Sequence, residues 1–409
     1  MPRQFHIPRF YKSSIITAVK QARQRQDPRK RDLSPSLLDF GPIRFKVARH
    51  FGFCYGVENA VEIAYRAIEE NPDRQLFMLS EMIHNPHVNE DLQRRGMRFL
   101  RSVTGEQLIP FDTLTPEDIV LIPAFGATLE IQADLKRRGI DIKTYDTTCP
   151  FIERVWRRSN QLGKNNYTII VHGKRYHEET RATFSHARQN SPVVVVRDLG
   201  ETQDLCRVIR GEVSASFFFE RFHDRYSEGF DPGRDLQRIG VVNQTTMLAT
   251  ETRAIAKLLR QAVVARYGNP DFFADTSDTL CYATNENQQA TRALLDDGID
   301  IALVVGGYNS SNTSHLVGLC DAVAPTYFIK DAGELLSPLR LRHFDYSTKT
   351  LVETDEWLPE HRPLNVALTA GASCPDVLLD QVIHRVAGWV PGTRPLEDVL
   401  EDFACVVMD

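Results

Sequence analysis

The sequence predicts an α/β protein built from several small parallel sheets, and three observations carry that expectation. The chain has 409 residues, more than one compact domain of about 100–200 residues usually holds. From Ile43 onward, short apolar runs of strand length alternate with segments of helical spacing, the pattern of parallel strands covered by helices. Finally, a strand–turn–cysteine–helix segment recurs around Cys54, Cys149 and Cys281, which predicts three related domains.

Composition narrows the class. Hydrophobic residues make up 42% and charged residues 25%, an ordinary globular balance that excludes a disordered or fibrous chain. No apolar run approaches the roughly 20 residues of a membrane-spanning helix. A formal net charge of −5 gives no global electrostatic case for nucleic acid. Seven cysteines, an odd number with no CxxC pair, argue against a disulfide framework, a zinc ribbon or a thioredoxin-type motif. A reducing compartment is the expectation.

In chain order, residues 1–42 read as a basic extension and linker. Nine Lys/Arg and one acid, Asp27, lie between Arg3 and Arg31. Such an arm suits either a surface extension of a cytoplasmic protein or a plastid transit peptide. Leu33–Pro42 reads as the linker. The first domain is expected over residues 43–145, the second over 146–275 with an insertion near 205–237, and the third over 276–409. Strands are expected at Ile43–Ala48, Gln75–Leu79, Ile119–Pro123, Ile140–Tyr145, Tyr167–Val171, Val193–Val196, Ile239–Asn243, Asp271–Ala274, Ile301–Val305 and Asn365–Thr369. Ligands of such folds bind where strands give way to helices.

The chemistry concentrates at those turns. A cysteine that opens a helix meets the positive end of its dipole, which favours thiolate and metal ligation. Cys54, Cys149 and Cys281 share that setting, whereas Cys206, Cys320 and Cys405 do not and read as structural. Cys374 adjoins a candidate ligand loop. Three thiolates without a nearby fourth suit an iron–sulfur cluster with one open iron. Gly306-Gly-Tyr-Asn-Ser-Ser-Asn312 and Thr369-Ala-Gly-Ala-Ser373 offer glycines, hydroxyls and amides to an anion, as helix-opening loops do. Each also reads as a simple helix cap. His84 and His177 are possible phosphate partners, and Glu178 or Glu179 a possible proton donor.

The ordered motifs Phe51-Gly-Phe-Cys-Tyr-Gly-Val57, Ile83-His-Asn85, Asp146-Thr-Thr-Cys-Pro150, His177-Glu-Glu-Thr180, Asn243-Gln-Thr-Thr246, Asp278-Thr-Leu-Cys-Tyr-Ala-Thr284, Asn309-Ser-Ser-Asn312 and Thr369-Ala-Gly-Ala-Ser373 together resemble the 4-hydroxy-3-methylbut-2-enyl diphosphate reductase family. The resemblance runs from about Arg44 to Trp389. It implies a trefoil of three pseudo-symmetric α/β domains around a central cavity. It also implies the last step of the methylerythritol phosphate route, a two-electron, two-proton loss of hydroxyl that yields isopentenyl and dimethylallyl diphosphates. Cys54, Cys149 and Cys281 match the ligands of a [4Fe–4S] cluster whose fourth iron meets the substrate. His84, His177, Thr245, Ser310, Ser311, Asn312 and Ser373 match substrate-binding positions. Glu179, with Thr245 as a relay, matches the proton source. Electrons are implied to come singly from a ferredoxin or flavodoxin.

Two departures stand out. Many bacterial members carry histidine where this chain has Phe125, in Ala124-Phe125-Gly126, and phenylalanine has no donor for phosphate. That form resembles the plant and cyanobacterial branch, as does the longer second domain. Cys374 after Ser373 is the other. A trefoil dehydratase such as quinolinate synthase is the nearest rival, but its carboxylate substrate calls for arginine, where these loops offer Ser, Asn, Thr and His. A non-catalytic cluster protein is the second rival, although electron carriers usually close the cluster with four cysteines.

Overall fold

The computed structural model describes residues 5–274, 279–296 and 298–406, without the side chains of residues 404–406. Asp278 and the side chain of Cys405 therefore lie outside the described residues. The chain divides into two compact units, Met1–Glu58 with His84–Val88 and Tyr282–Asp409, and Asn59–Ile83 with Asn89–Cys281.

The first unit is organised on a five-stranded sheet in the order Ser36–Asp39, Ile43–Val47, Leu364–Ala370, Ile301–Val305, Thr326–Ile329. The last four strands run parallel. Ile301–Val305 is buried along its whole length, which is why its sequence is a continuous apolar run rather than an alternating one. The three central strands all end in loops that carry expected site residues. Val47 leads to Cys54, Val305 to Ser310–Asn312, and Ala370 to Ser373.

The second unit holds two parallel sheets. One has the order Arg98–Phe99, Leu76–Met78, Ile119–Leu121, and the other Val193–Val196, Thr168–His172, Ile239–Asn243, Phe273–Ala274. The segment read as an insertion forms short helices at Ala215–Arg221 and Pro232–Asp235. Its Phe218, Phe222 and Phe230 join the core around the four-stranded sheet.

Small parallel sheets with helical connections are what the alternating pattern requires. Several elements nevertheless depart from the sequence reading. Ile43–Val47, expected to open the first domain, pairs instead with Leu364–Ala370. The expected linker contains an edge strand, Ser36–Asp39, antiparallel to Ile43–Val47. Residues 140–145 form no strand. The Asp141 carboxylate accepts the amide of Lys143 at 2.8 Å and also binds the Thr144 hydroxyl, so a local turn outcompetes the ladder. Asp271 lies in a tight turn, Pro270–Phe272, and only Phe273–Ala274 pairs. An antiparallel hairpin, Arg340–Asp345 with Thr350–Asp355, had no expected counterpart. Nor did the helix Ser14–Gln26, whose Ile15, Ile16 and Val19 are buried in the core of the first unit.

Candidate active site

In the second unit, one bonded path links Cys281, Thr245, Glu179 and His177. The strand Ile239–Asn243 delivers Gln244 and Thr245 at its carboxyl end. The Cys281 amide donates to the Thr245 carbonyl at 3.1 Å, and the Thr245 amide donates to Glu179 Oε1 at 2.5 Å. Glu179 lies in the first turn of the helix Glu178–Ala187, capped by His177 Nδ1, which accepts the Glu179 amide at 3.2 Å. Since Nδ1 accepts, the neutral imidazole carries its proton on Nε2. The His177 ring meets the Phe125 ring edge-on at 5.5 Å. Next to Phe125, the Ala124 carbonyl accepts the amide of Cys149 at 3.0 Å. Gly126 completes that turn at φ +76°, and a side chain there would run into the Trp156 ring.

Glu179 is 1% exposed. Burial pushes its carboxyl up to about 7, against the opposing bonds from Thr245. At neutral pH this carboxyl is therefore divided between acid and carboxylate, the condition for donating a proton. Glu178, one residue earlier, is half-buried. Burial pushes it up to about 7 as well, with the Glu81 charge adding to the rise and Ser80, Arg181 and Arg101 opposing it. Its Oε2 is buried without a hydrogen-bond partner. Unlike Glu179, it makes no bond to Thr245.

The first unit gathers the polar loops. Ser310 caps the helix Ser311–Asp321, its Oγ accepting the Thr313 amide at 3.2 Å and the Thr313 hydroxyl at 2.9 Å. Asn312 Oδ1 accepts the Ala372 amide at 2.9 Å, joining this loop to the one bearing Ser373. Ser373 Oγ in turn donates to the His84 carbonyl at 3.2 Å. A Cβ at Gly307 would stand 2.3 Å from that carbonyl, and one at Gly371 would stand 2.0 Å from Thr313 Oγ1. These glycines are needed for close approach of the loops. His84, Ser310, Ser311, Asn312 and Ser373 thus stand together.

Within this cluster Ser311 Oγ, Asn312 Nδ2 and Asn85 Nδ2 are buried without hydrogen-bond partners. Buried donors are rarely left so, and here they accompany the amino end of a helix, which attracts anions. The sequence reading had not assigned Asn85 a role. Its signal was the Asn beside His84, though only burial separates such an Asn from a loop residue.

Cys54, Cys149 and Cys281 each stand immediately before a helix, Tyr55–Glu70, Pro150–Lys164 and Tyr282–Leu295. The six cysteines with described side chains include no disulfide. Burial raises the Cys54 thiol, while the amides of Gly56 and Val57 act in the opposite sense. Cys206, Cys320 and Cys374 are buried in cores, and burial pushes their thiols up, to about 11 for Cys206 and about 12 for Cys320.

A family model described as LytB protein matches residues 45–387. The 4-hydroxy-3-methylbut-2-enyl diphosphate reductase of Gloeobacter violaceus is 40% identical over 352 residues, 85% of this chain and 83% of that protein. The reductase of the same name from a Synechococcus species is 38% identical over 382 residues, 92% of this chain and 90% of its own. Among solved structures, the E-1-hydroxy-2-methyl-but-2-enyl-4-diphosphate reductase of Plasmodium falciparum superposes with a TM-score of 0.61 at 19% identity, covering 86% of this chain and 89% of that one. A structure described as the terminal enzyme of the non-mevalonate pathway gives 0.51 at 24% identity, covering 84% of this chain and 98% of that one. These two likenesses are likenesses of fold.

Proposed function

The chain belongs to the LytB protein family, and from that premise we propose that it is a 4-hydroxy-3-methylbut-2-enyl diphosphate reductase. The reaction removes the allylic hydroxyl as water, with two electrons and two protons, and leaves isopentenyl or dimethylallyl diphosphate. The observation that carries the reading is the buried Glu179 carboxyl, pushed up to about 7 and held by Thr245. A carrier of electrons has no use for such an acid.

The family implies a [4Fe–4S] cluster, and the donor set fits it. Three thiols open three helices, and the amide of each is tied to a neighbouring backbone carbonyl, Ala372 for Cys54, Ala124 for Cys149 and Thr245 for Cys281. Among the described residues no three His, Cys, Asp or Glu side chains could hold a single metal ion. A cluster attaches each cysteine to a different iron, so it does not ask for that compact arrangement. Cys54, Cys149 and Cys281 would hold it. Bound there, it supplies low-potential electrons and an open Lewis-acid iron.

The residues of the chain do the rest. The diphosphate is bound by Ser311 Oγ, Asn312 Nδ2 and Asn85 Nδ2, with His84, Ser310 and Ser373 beside them. Ser310 Oγ already accepts two hydrogen bonds, yet its own proton is still available to a phosphate oxygen. His177 presents Nε2–H to the substrate. Glu179 gives up the proton that the departing hydroxyl needs, and the Thr245 hydroxyl orients it. Phe125 takes the place of a phosphate donor and walls one side of His177 instead. The electron donor is a one-electron protein of the ferredoxin or flavodoxin kind. Among the described residues no helix is long and apolar enough to cross a membrane.

Anaerobic reconstitution with iron and sulfide, followed by titration with the hydroxylated diphosphate under a low-potential reductant, tests the proposal. A spectral change of the cluster together with both isoprenoid diphosphates is expected. An iron-bearing protein that binds the substrate without forming either product would overturn the assignment.

A further inference from the structure

The basic arm before the first sheet is attached, residue by residue, to the segment that carries Cys54. Arg49 Nη2 donates to the carbonyls of Arg23, at 3.4 Å, and Asp27, at 3.3 Å, and lies 3.8 Å from the Asp27 carboxylate. Lys20 Nζ sits 4.7 Å from the centre of the Phe51 ring. Tyr11 meets Phe53 edge-on at 5.7 Å, and Phe5 meets Tyr55 edge-on at 4.9 Å. The contacted positions are 49, 51, 53 and 55. Every second residue of this stretch is touched by the arm, and Cys54 lies between the last two.

The arm is itself fixed to the helix Asp376–Ala387. Lys20 Nζ binds both carboxylate oxygens of Asp376 at 2.8 Å. Ser13 Oγ accepts the Ile16 amide at 2.7 Å, while the Asp380 carboxylate accepts the amides of Ile15 and Ile16 at 3.3 and 3.2 Å. Two side chains thus satisfy the first amides of the helix Ser14–Gln26. Gly52 explains how the ion pair fits against the cysteine loop. A Cβ there would stand 2.4 Å from Asp376 Oδ1 and 3.1 Å from Lys20 Nζ. The loop bends at a glycine, φ +79°, where the Lys20–Asp376 pair crosses it.

We propose that the N-terminal arm is a clamp on the Cys54 loop, with Lys20 and Tyr11 as positioning residues that hold this cysteine in its ligating geometry. The role as a ligand clamp rests on the cluster reading above. The clamping of the loop itself does not, because it consists of contacts present in the chain alone. A loop released from the arm opens locally more often without unfolding the core. That exposes the thiol when the cluster is absent and allows iron to leave when it is present.

The test uses the full-length chain carrying Lys20→Met and Tyr11→Leu together, with Lys20→Met alone as the milder variant. In the cluster-free protein, N-ethylmaleimide labelling is followed peptide by peptide. Labelling of Cys54 is expected to rise about ten-fold in the double variant, the scale of a lost ion pair and cation–π contact, while Cys149 and Cys281 keep their rates. In the reconstituted protein, iron content is expected to match the unmodified chain, with loss to a ferrous chelator also about ten-fold faster. Lys20→Arg, which preserves the ion pair, restores both rates, and Arg340→Met, at the exposed Arg340–Asp355 pair elsewhere, changes neither. Unchanged Cys54 labelling in both arm variants overturns the clamp. Equal increases at all three cysteines overturn it too, since they report general loosening. A clamp that passes the labelling test in a protein whose unmodified form takes up no iron refutes the ligand role and, separately, the cluster reading.

Discussion

The amide of Thr245 donates to the Glu179 carboxylate at 2.5 Å, and no such bond reaches Glu178, one residue earlier on the same helix. Both carboxyls are raised to about 7, although Glu179 is buried and Glu178 half-buried. They differ also in direction. Glu179 faces the residue whose carbonyl holds the Cys281 amide, whereas Glu178 faces Ser80, Arg101 and Arg181.

Glu179→Gln is therefore expected to lower turnover by about 10²-fold or more, the scale of general-acid catalysis. Substrate affinity and iron content should remain near normal. Glu178→Gln should keep most of the activity. Anaerobic assays of both variants with one reduced donor check this, and equal losses would remove the acid role from Glu179.

The two raised carboxyls set a pH dependence. A carboxyl near 7 in the folded chain and near 4.5 when unfolded binds its proton more tightly in the folded state. Stability then falls as pH rises from about 4.5 to about 7 and levels off above. Glu178→Gln removes one such group. Its melting temperature should equal that of the unmodified chain near pH 4.5 and exceed it at pH 8 by on the order of 3 °C. Turnover should also decline above about pH 7 as Glu179 loses its proton, roughly ten-fold per pH unit.

Ser310 and Ser311 separate folding from binding. Ser310 caps its helix, so Ser310→Ala should cost about 1 kcal/mol of stability before any substrate is present. The Ser311 hydroxyl is buried without a partner, and under the proposed function its loss removes only a donor to the diphosphate. Ser311→Ala should leave the denaturation midpoint nearly unchanged and weaken substrate binding by about ten-fold, the scale of one charge-assisted hydrogen bond. Calorimetric titration beside a urea melt reads both quantities.

Cys54→Ser, Cys149→Ser and Cys281→Ser should each strip or degrade the cluster, because an alkoxide is a harder and more basic ligand than a thiolate. Cys206→Ala and Cys320→Ala should keep full iron, at a cost in stability from emptied core space. Cys374 is fully buried beside Asp376, so Cys374→Ala belongs with the core group. Iron and sulfide analysis after anaerobic reconstitution distinguishes the two sets.

Phe125 stands edge-on to His177. Phe125→Ala should raise the Michaelis constant by about 2- to 10-fold, since His177 loses a contact of aromatic-pair strength. Phe125→His keeps a ring at that place and should change it by less than the alanine variant does. A larger loss with histidine would mean that the phenyl ring matters for its apolarity rather than as a wall.

Part of this architecture was legible because its signals are local. A buried parallel strand announces itself as a short apolar run, and Val193–Val196, Ile239–Asn243 and Ile301–Val305 were readable to the residue. The glycine-, serine- and asparagine-bearing loops after such strands were equally visible. Ile140–Tyr145 misled because an Asp at the start of an apolar run folds the chain back on itself. Sequence periodicity does not register that competition.

The α/β class, the order of the loops and the three cysteines that open helices follow from local residue patterns, since each depends on neighbouring residues and backbone preference alone. Tertiary structure decided the rest. It alone placed Ile43–Val47 beside Leu364–Ala370, turned a basic arm into a helix with a buried apolar face, and showed both carboxyls of the Glu178–Glu179 pair to be raised by burial. Burial is the common reason. How much water a residue keeps depends on what distant segments pack against it, and no local pattern records which segments those are.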